Sequence, residues 1–319
     1  MYIYSRRIYL FSKYIQKGGN IINNYYSNIK DKLLSNEINK NVKDYSKNKS
    51  DLITYYEVGK LLSEAGKHYG ESIIKEYSLK LQYDLDMKYN ERTLRRFRQF
   101  YILFNSQKWS PMATKLSWSH IIEILSIKEP SKILYYLDVA ESNSLTKREL
   151  RERIKLKEYE RLPNDTKLNV LKNRLYEENV TDFIKNPIVI KNKNYDIISE
   201  EILQKLIVEN IIDFMKELGS SFSFISNEYK IKIGNTYNYI DLLFYNYKFK
   251  CFVVVELKVI EIKKEHIGQI EVYMNYIDKN IKRLDDNKTI GIIIVRKNNR
   301  DYIEYCSDPR ILIREYELI

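Results

Sequence analysis

Cysteine, histidine, proline and glycine are all scarce in this chain, at 2, 3, 5 and 9 of 319 residues. Two cysteines, Cys251 and Cys306, cannot build a disulfide framework or a thiolate zinc site. They read instead as buried, reduced thiols of an intracellular, cytoplasmic protein. Three scattered histidines supply no histidine metal centre, so any metal must be held by oxygen ligands. So few glycines and prolines exclude collagen-like chains, Gly-rich repeat arrays and long flexible linkers. No apolar run reaches transmembrane length; the nearest are Phe252–Leu257 and Ile290–Val295. Acidic residues are missing from the first thirty positions, which carry Arg6, Arg7, Lys13, Lys17 and Lys30. Residues 1–19 therefore read either as a frayed basic extension or as an organelle-targeting leader.

What is present is enough to fold. Hydrophobic residues make up 44% of the chain and Tyr alone contributes 29 residues, which excludes low-hydrophobicity disorder. The length suits two ordinary domains. Charge is divided unevenly between them. Residues 195–319 hold 18 Lys/Arg against 20 Asp/Glu, whereas residues 1–194 hold 36 against 23. The whole basic excess, net +11 for the chain, lies in the N-terminal part. Such an excess attracts polyanions, nucleic acid above all. A membrane surface would need a broad exposed apolar helix face beside the charge, and none is evident, so no membrane partner is expected.

Residues 20–161 carry helical periodicity. Leu52, Tyr55, Tyr56, Val58, Gly59, Leu61 and Leu62 share one face, and Ile73, Ile74, Tyr77, Leu79, Leu81 and Leu85 continue the pattern after Tyr69-Gly70. Asn90 is placed to cap a helix running to Phe104, whose outer face shows Arg92, Arg95, Arg96 and Arg98. Helices follow at Trp118–Leu125, Ser131–Asn143 and Thr146–Arg161, the last opened by Thr146 with Glu149 three residues on. Residues 162–195 read as the inter-domain connection, with a helix at Asp165–Glu178 in part of it. From Ser199 the pattern becomes a helix to Leu218, β segments at Phe222–Ile233, Tyr237–Phe244 and Phe249–Lys258, a helix at Glu265–Lys279, and strands at Thr289–Arg296 and Ile311–Tyr316. This is a small α/β domain around a mixed sheet.

The segment Phe252-Val253-Val254-Val255-Glu256-Leu257-Lys258 is an apolar strand ending in two charges. Alternation puts Glu256 and Lys258 on one face and Leu257 on the other. Asp241 lies inside a second apolar strand, and pairing of the two as a hairpin would converge Asp241 and Glu256. Two carboxylates and a backbone carbonyl form a hard oxygen site suited to Mg2+ or Mn2+. Lys258 beside them could stabilise charge on a phosphorane oxygen, the logic of metal-assisted phosphodiester hydrolysis. The structural alternative is a salt bridge between Glu256 and Lys258 at a sheet edge. For the arginines it is a solvated helix face, although the planar guanidinium fork suits phosphate and guanine. His120 reads as a packed structural histidine.

Taken in order, Ile240-Asp241-Leu242-Leu243-Phe244-Tyr245, Val255-Glu256-Leu257-Lys258 and Gly268-Gln269-Ile270-Glu271-Val272-Tyr273 resemble the PD-(D/E)xK nuclease core, specifically its YhcG type. Glu217-Leu218-Gly219 and Ile290-Gly291-Ile292 match the helix stop before the sheet and a later strand. Tyr55-Tyr56-Glu57-Val58-Gly59-Lys60, Arg95–Tyr101 and Leu116-Ser117-Trp118-Ser119-His120 extend the likeness into that family's helical, winged-helix-like DNA-binding domain. The resemblance implies an α+β chain: a basic extension over 1–19, a helical DNA-binding domain over 20–161, a connection over 162–195, and a restriction-endonuclease-like domain with a central mixed sheet over 196–319. It implies a metal-dependent DNA nuclease with Mg2+ or Mn2+ as cofactor. Asp241, Glu256 and the Leu257 carbonyl would be metal ligands, and Lys258 the catalytic lysine. Glu200 matches an acidic residue that some members add to the metal site, with Glu201 and Glu209 as rivals. Gln269 and Tyr273, four apart on a helix, would lie beside the active site, or else be a satisfied Gln and a core Tyr. Arg92, Arg95, Arg96 and Arg98 would contact nucleic acid. DNA, branched or damaged forms included, is the expected partner, and a homodimer is open. The competing function is a DNA-binding or complex-forming protein whose nuclease fold is a non-catalytic scaffold.

Overall fold

The structure, a computed structural model, describes residues 24–41, 47–85, 89–106, 115–171, 179–192, 199–297 and 308–319. The basic extension 1–19 and Cys306 lie outside the described residues. The chain divides into two compact units, Met1–Arg153 and Ile154–Ile319. Among the described residues, no helix is long and apolar enough to cross a membrane.

The first unit is helical: α1 (Asn24–Asn41), α2 (Lys47–Tyr69), α3 (Ile73–Leu85), α4 (Glu91–Ser106), α5 (Trp118–Ile124), α6 (Pro130–Ser142) and α7 (Lys147–Lys155). No strand that could form a wing occurs among its described residues. Local chemistry sets the helix starts. The Thr93 amide donates to Asn90 Oδ1 at 2.9 Å. Thr146 and Glu149 close a reciprocal capping box, each side chain reaching the other's backbone N–H. The core joins Ile29 and Leu33 of α1, Leu52, Val58 and Leu62 of α2, and Leu94, Phe97, Phe100 and Phe104 of α4. Tyr55 stacks on Phe97 at 4.3 Å between centroids, and Trp118 packs against both. The close crossing of α2 and α4 requires glycine, because a Cβ on Gly59 would overlap the Phe97 carbonyl, only 2.7 Å from its carbon.

The second unit contains a 3-10 turn (Tyr159–Arg161), α8 (Asn164–Leu171), β1 (Ile188–Ile190), α9 (Glu200–Glu209), α10 (Ile211–Leu218), β2 (Phe222–Ile233), β3 (Thr236–Asn246), β4 (Cys251–Glu261), α11 (Lys264–Asn280), β5 (Ile290–Lys297) and β6 (Ile311–Leu318). Six strands form one mixed sheet in the order β1-β6-β5-β4-β3-β2. The β2, β3 and β4 pairings are antiparallel, and the β4–β5, β5–β6 and β6–β1 pairings are parallel. One core buries Leu242, Phe244, Val253, Val255 and Leu257 under α9 and α10. The other buries Val254, Ile293 and Val295 with Ile270, Met274 and Ile277 of α11. Near-continuous apolar strands such as β4 are what a sheet covered on both faces demands.

Three expectations need correction. The helix expected over Ser199–Leu218 is two, broken at Asn210, whose φ of −120° and ψ of 36° leave helical space. The helix expected over Thr146–Arg161 stops at Lys155 and resumes as the 3-10 turn, with Lys157 at a φ of 51° between them. The connection expected over 162–195 is largely structure of the second unit. Ile188–Ile190 pairs in parallel with β6. Arg161 forms a buried ion pair with Glu217, and Lys185 lies 3.2 Å from Glu158 and 3.9 Å from Glu217. Charges buried together in this way fix the segment onto α10, since each would be costly alone.

Candidate active site

The site is made by a fork in the sheet. The β3–β4 ladder ends at Leu242 opposite Val255, while β4 continues alongside β5 to Lys258 and β3 continues alongside β2 to the turn at Gly234. At the divergence the Leu257 amide donates to the Asp241 side chain, to Oδ2 at 2.8 Å. Gln204 of α9 donates to the Asp241 carbonyl at 3.0 Å, holding the other branch. Glu228, which falls opposite Asp241 between the Asn227–Leu242 and Tyr229–Ile240 pairs, has a φ of 48°, and β2 carries a register shift between Phe224 and Ser226. Such irregularities bend and twist a strand pair, which is what peels the β2–β3 hairpin from β4.

Glu256 and Lys258 fall in the fork, as alternation along β4 dictates. Glu256 is only 1% exposed, and one of its oxygens, Oε1, has no hydrogen-bond partner. Its other oxygen lies 3.6 Å from Lys258 Nζ, which also contacts Glu200 Oε2 at 3.3 Å. Burial pushes the Glu256 carboxyl up to about 8, and the negative charge of Asp241 adds to it. Asp241 is raised by burial, against the opposing Leu257 N–H bond. Burial alone would lower Lys258, but Glu256, Asp241 and Glu200 outweigh it and raise its pKa, so the ammonium stays charged. A buried carboxyl group with an orphaned oxygen beside a second acid is an incomplete arrangement, costly as it stands.

A divalent cation fits it. Among the described residues, no three acidic, histidine or cysteine side chains are gathered closely enough to hold a metal by themselves. Mg2+, however, is commonly held by one or two carboxylates, with water and substrate phosphate completing the shell. Asp241, Glu256 and the Leu257 carbonyl are the groups that would serve as such donors here.

The remaining expected residues are placed as follows. Of the three rival glutamates at the start of the domain, Glu200 reaches Lys258, and Glu201 and Glu209 do not. Gln269 Nε2 donates to the Tyr273 hydroxyl at 3.0 Å on α11. Tyr273 is buried close enough to the site that, after burial itself, the charges of Glu256 and Asp241 raise its phenol. In the first unit, Arg95 pairs with Glu91 at 2.8 Å and Arg98 with Glu71, and Arg98 lies back over α2 beside Gly66. Arg92 and Arg96 have no carboxylate partner among the described residues, and with Asn90, Glu91, Arg95 and Gln99 they line an open cavity of about 600 Å3. Sequence reasoning missed Gln204, Glu228 and His266, whose imidazole burial and then Lys258 lower. Gln204 was the findable one, four residues after Glu200 on the same helix face.

Residues 181–319 match the YhcG PDDEXK nuclease domain, and residues 32–161 match the DUF1016 N-terminal domain. Both parts of the chain thus match domains of the YhcG type. "Putative nuclease YhcG" of Escherichia coli (strain K12) is 24% identical over 309 residues, covering 83% of this chain and 82% of that relative. Two solved structures resemble part of this chain. A repair endonuclease from Pyrococcus abyssi shares 20% identity over 40% of this chain and 50% of its own, with a TM-score of 0.30. An EndoMS complex with double-stranded DNA shares 18% over 40% and 48%, with a TM-score of 0.26.

Proposed function

We propose that this protein is a divalent-metal-dependent nuclease that hydrolyses DNA phosphodiester bonds in the fork, and that its basic helical unit binds DNA. The observation that carries the reading is Glu256: a carboxylate buried to 1% exposure, with one oxygen unpartnered, beside Asp241 and a charged lysine. A salt bridge at a sheet edge has no need of that orphaned oxygen. A bound Mg2+ or Mn2+ would supply Lewis-acid charge at the phosphate and make a nearby water more acidic.

The protein's own groups do the rest. Asp241 and Glu256 present oxygens from two different strands, so the fork fixes their separation before substrate arrives. Lys258 holds a positive charge beside both, where the negative charge of the pentacovalent transition state grows. Glu200, exposed at the mouth, keeps the Lys258 ammonium oriented across the fork at 3.3 Å. Gln269 and Tyr273 line the α11 side, their mutual hydrogen bond fixing the phenol. Arg92 and Arg96, without a carboxylate partner among the described residues, supply cations to phosphates of the bound DNA.

The test is cleavage by the full chain. Plasmid and branched DNA should be cut with Mg2+ or Mn2+ and spared in EDTA. Asp241→Asn should abolish cutting while binding DNA in EDTA as wild type does. Metal-independent cutting, or full activity of Asp241→Asn, would remove the assigned site. A wild-type chain that binds DNA but never cuts it would support the scaffold function instead.

A further inference from the structure

Beyond the fork, β2 and β3 run on as a two-stranded arm to the turn at Gly234. One face of this arm is core: Ile231 and Ile240 are buried with the α11 side chains, and Tyr229 packs against them. Alternation therefore turns Lys230, Lys232, Tyr237 and Tyr239 to the opposite face. Tyr237 is 53% and Tyr239 51% exposed, although half-burial on a sheet is the ordinary fate of tyrosine. The register sets Lys230 opposite Tyr239 and Lys232 opposite Tyr237. Lys230 Nζ lies 3.9 Å and Lys232 Nζ 5.8 Å from the centre of the Tyr237 ring. Neither lysine has a carboxylate partner, and neither tyrosine hydroxyl a hydrogen bond, among the described residues.

We propose that this face is a binding surface for an unpaired DNA strand that leads into the fork. Charge and position both favour that occupant. Residues 195–319 are net acidic, with 18 Lys/Arg against 20 Asp/Glu, yet this face carries two unneutralised lysines. Along β3, Tyr237, Tyr239 and Asp241 succeed one another at every second residue, about 7 Å apart along the backbone, so the two tyrosines stand one and two such steps from the fork. A strand whose phosphate occupies the fork would pass over both rings within a nucleotide or two. Exposed aromatic rings flanked by cations are how proteins grip single strands, because every base offers a face to stack. In a duplex those faces are already covered by neighbouring bases. The rings thus select unpaired flanks such as flaps, bubbles or overhangs, and the lysines hold the backbone irrespective of sequence.

This inference rests on the nuclease reading of the fork, and its test is separable from that reading. Binding is measured with the full chain in EDTA, where nothing is cut, using a fluorescent oligo-dT and a blunt duplex of equal length. The exposed pair Tyr237→Ala/Tyr239→Ala should weaken oligo-dT binding by about tenfold or more and change duplex binding far less. Tyr237→Phe/Tyr239→Phe, which keeps the rings, should bind oligo-dT as wild type does. Lys230→Gln/Lys232→Gln should lower the slope of log affinity against log salt by about 1.4 on oligo-dT. Undiminished oligo-dT binding by the alanine pair, or an equal loss on both DNAs, would overturn the inference. If the wild type cuts no DNA yet the alanine pair still loses oligo-dT selectively, the nuclease reading fails and the strand-binding face stands.

Discussion

At the scale of single residues, Glu256 and Lys258 divide stability from chemistry. Lys258→Met keeps the stem and deletes the charge, so the fold should survive. Its single-turnover cleavage rate should fall by about 10²–10³, the usual effect of losing one electrostatic stabiliser. A mutant that cleaves normally would make Lys258 a structural partner of its carboxylates only. Glu256→Gln should act in the opposite sense on stability. Burial pushes the Glu256 carboxyl up to about 8, so at neutral pH folding must protonate it, and the neutral amide should raise metal-free stability by about 0.5–2 kcal/mol. Mn2+ should raise the melting temperature of the wild type, and the same substitution should abolish that rise. Thermal melts with and without Mn2+ decide both points.

At the scale of elements, glycines report how closely helices approach. Gly59 is where α2 crosses α4, and a Cβ there meets backbone, a clash that no side-chain rotation can relieve. Gly59→Ala should destabilise the first unit by about 1–3 kcal/mol through overpacking. Gly268 in α11 has open space where a methyl group would stand, with no atom within 4 Å. Gly268→Ala should therefore stabilise by up to about 1 kcal/mol through helix propensity. Urea unfolding of both variants measures the contrast. A neutral Gly59→Ala would mean that the two helices are not in fixed contact. Elements also show where local reading stops. Asn90, Thr146 and Ser199 mark helix starts because a cap bonds within its own first turn. The three-residue β1 carries no such signal, since its stability comes from β6, more than a hundred residues away.

At the scale of the whole molecule, charge is the governing quantity. The N-terminal part carries the excess, 36 Lys/Arg against 23 Asp/Glu in residues 1–194. Duplex DNA affinity of the full chain in EDTA should therefore fall steeply with salt. Arg92→Gln/Arg96→Gln should weaken duplex binding and lower the log–log salt slope by about 1.8, or about 0.9 for each phosphate left without its arginine. Arg98→Gln should do less, because Arg98 is already tied to Glu71. Equal effects of the two variants, or no change in slope, would place the duplex surface elsewhere.

The order of residues along the chain was enough to nominate the proposed site. An acid inside one apolar strand and an acid-x-Lys at the end of the next pointed to Asp241, Glu256 and Lys258 as the proposed site once the family resemblance was added, because strand alternation is local and burial of a charge is costly wherever it occurs. Capping and helical periodicity were legible for the same reason: their partners lie three or four residues apart. Tertiary structure alone decided the rest. It parted β3 from β4 at Leu242, so that the Asp241 carboxylate answers the Leu257 amide. It brought Glu200 rather than Glu201 or Glu209 to Lys258, and it turned Arg98 inward while leaving Arg92 and Arg96 without carboxylate partners among the described residues. Each of these depends on contacts between residues tens of positions apart, whose energy is fixed by how whole helices and strands pack rather than by any pattern the local sequence can carry.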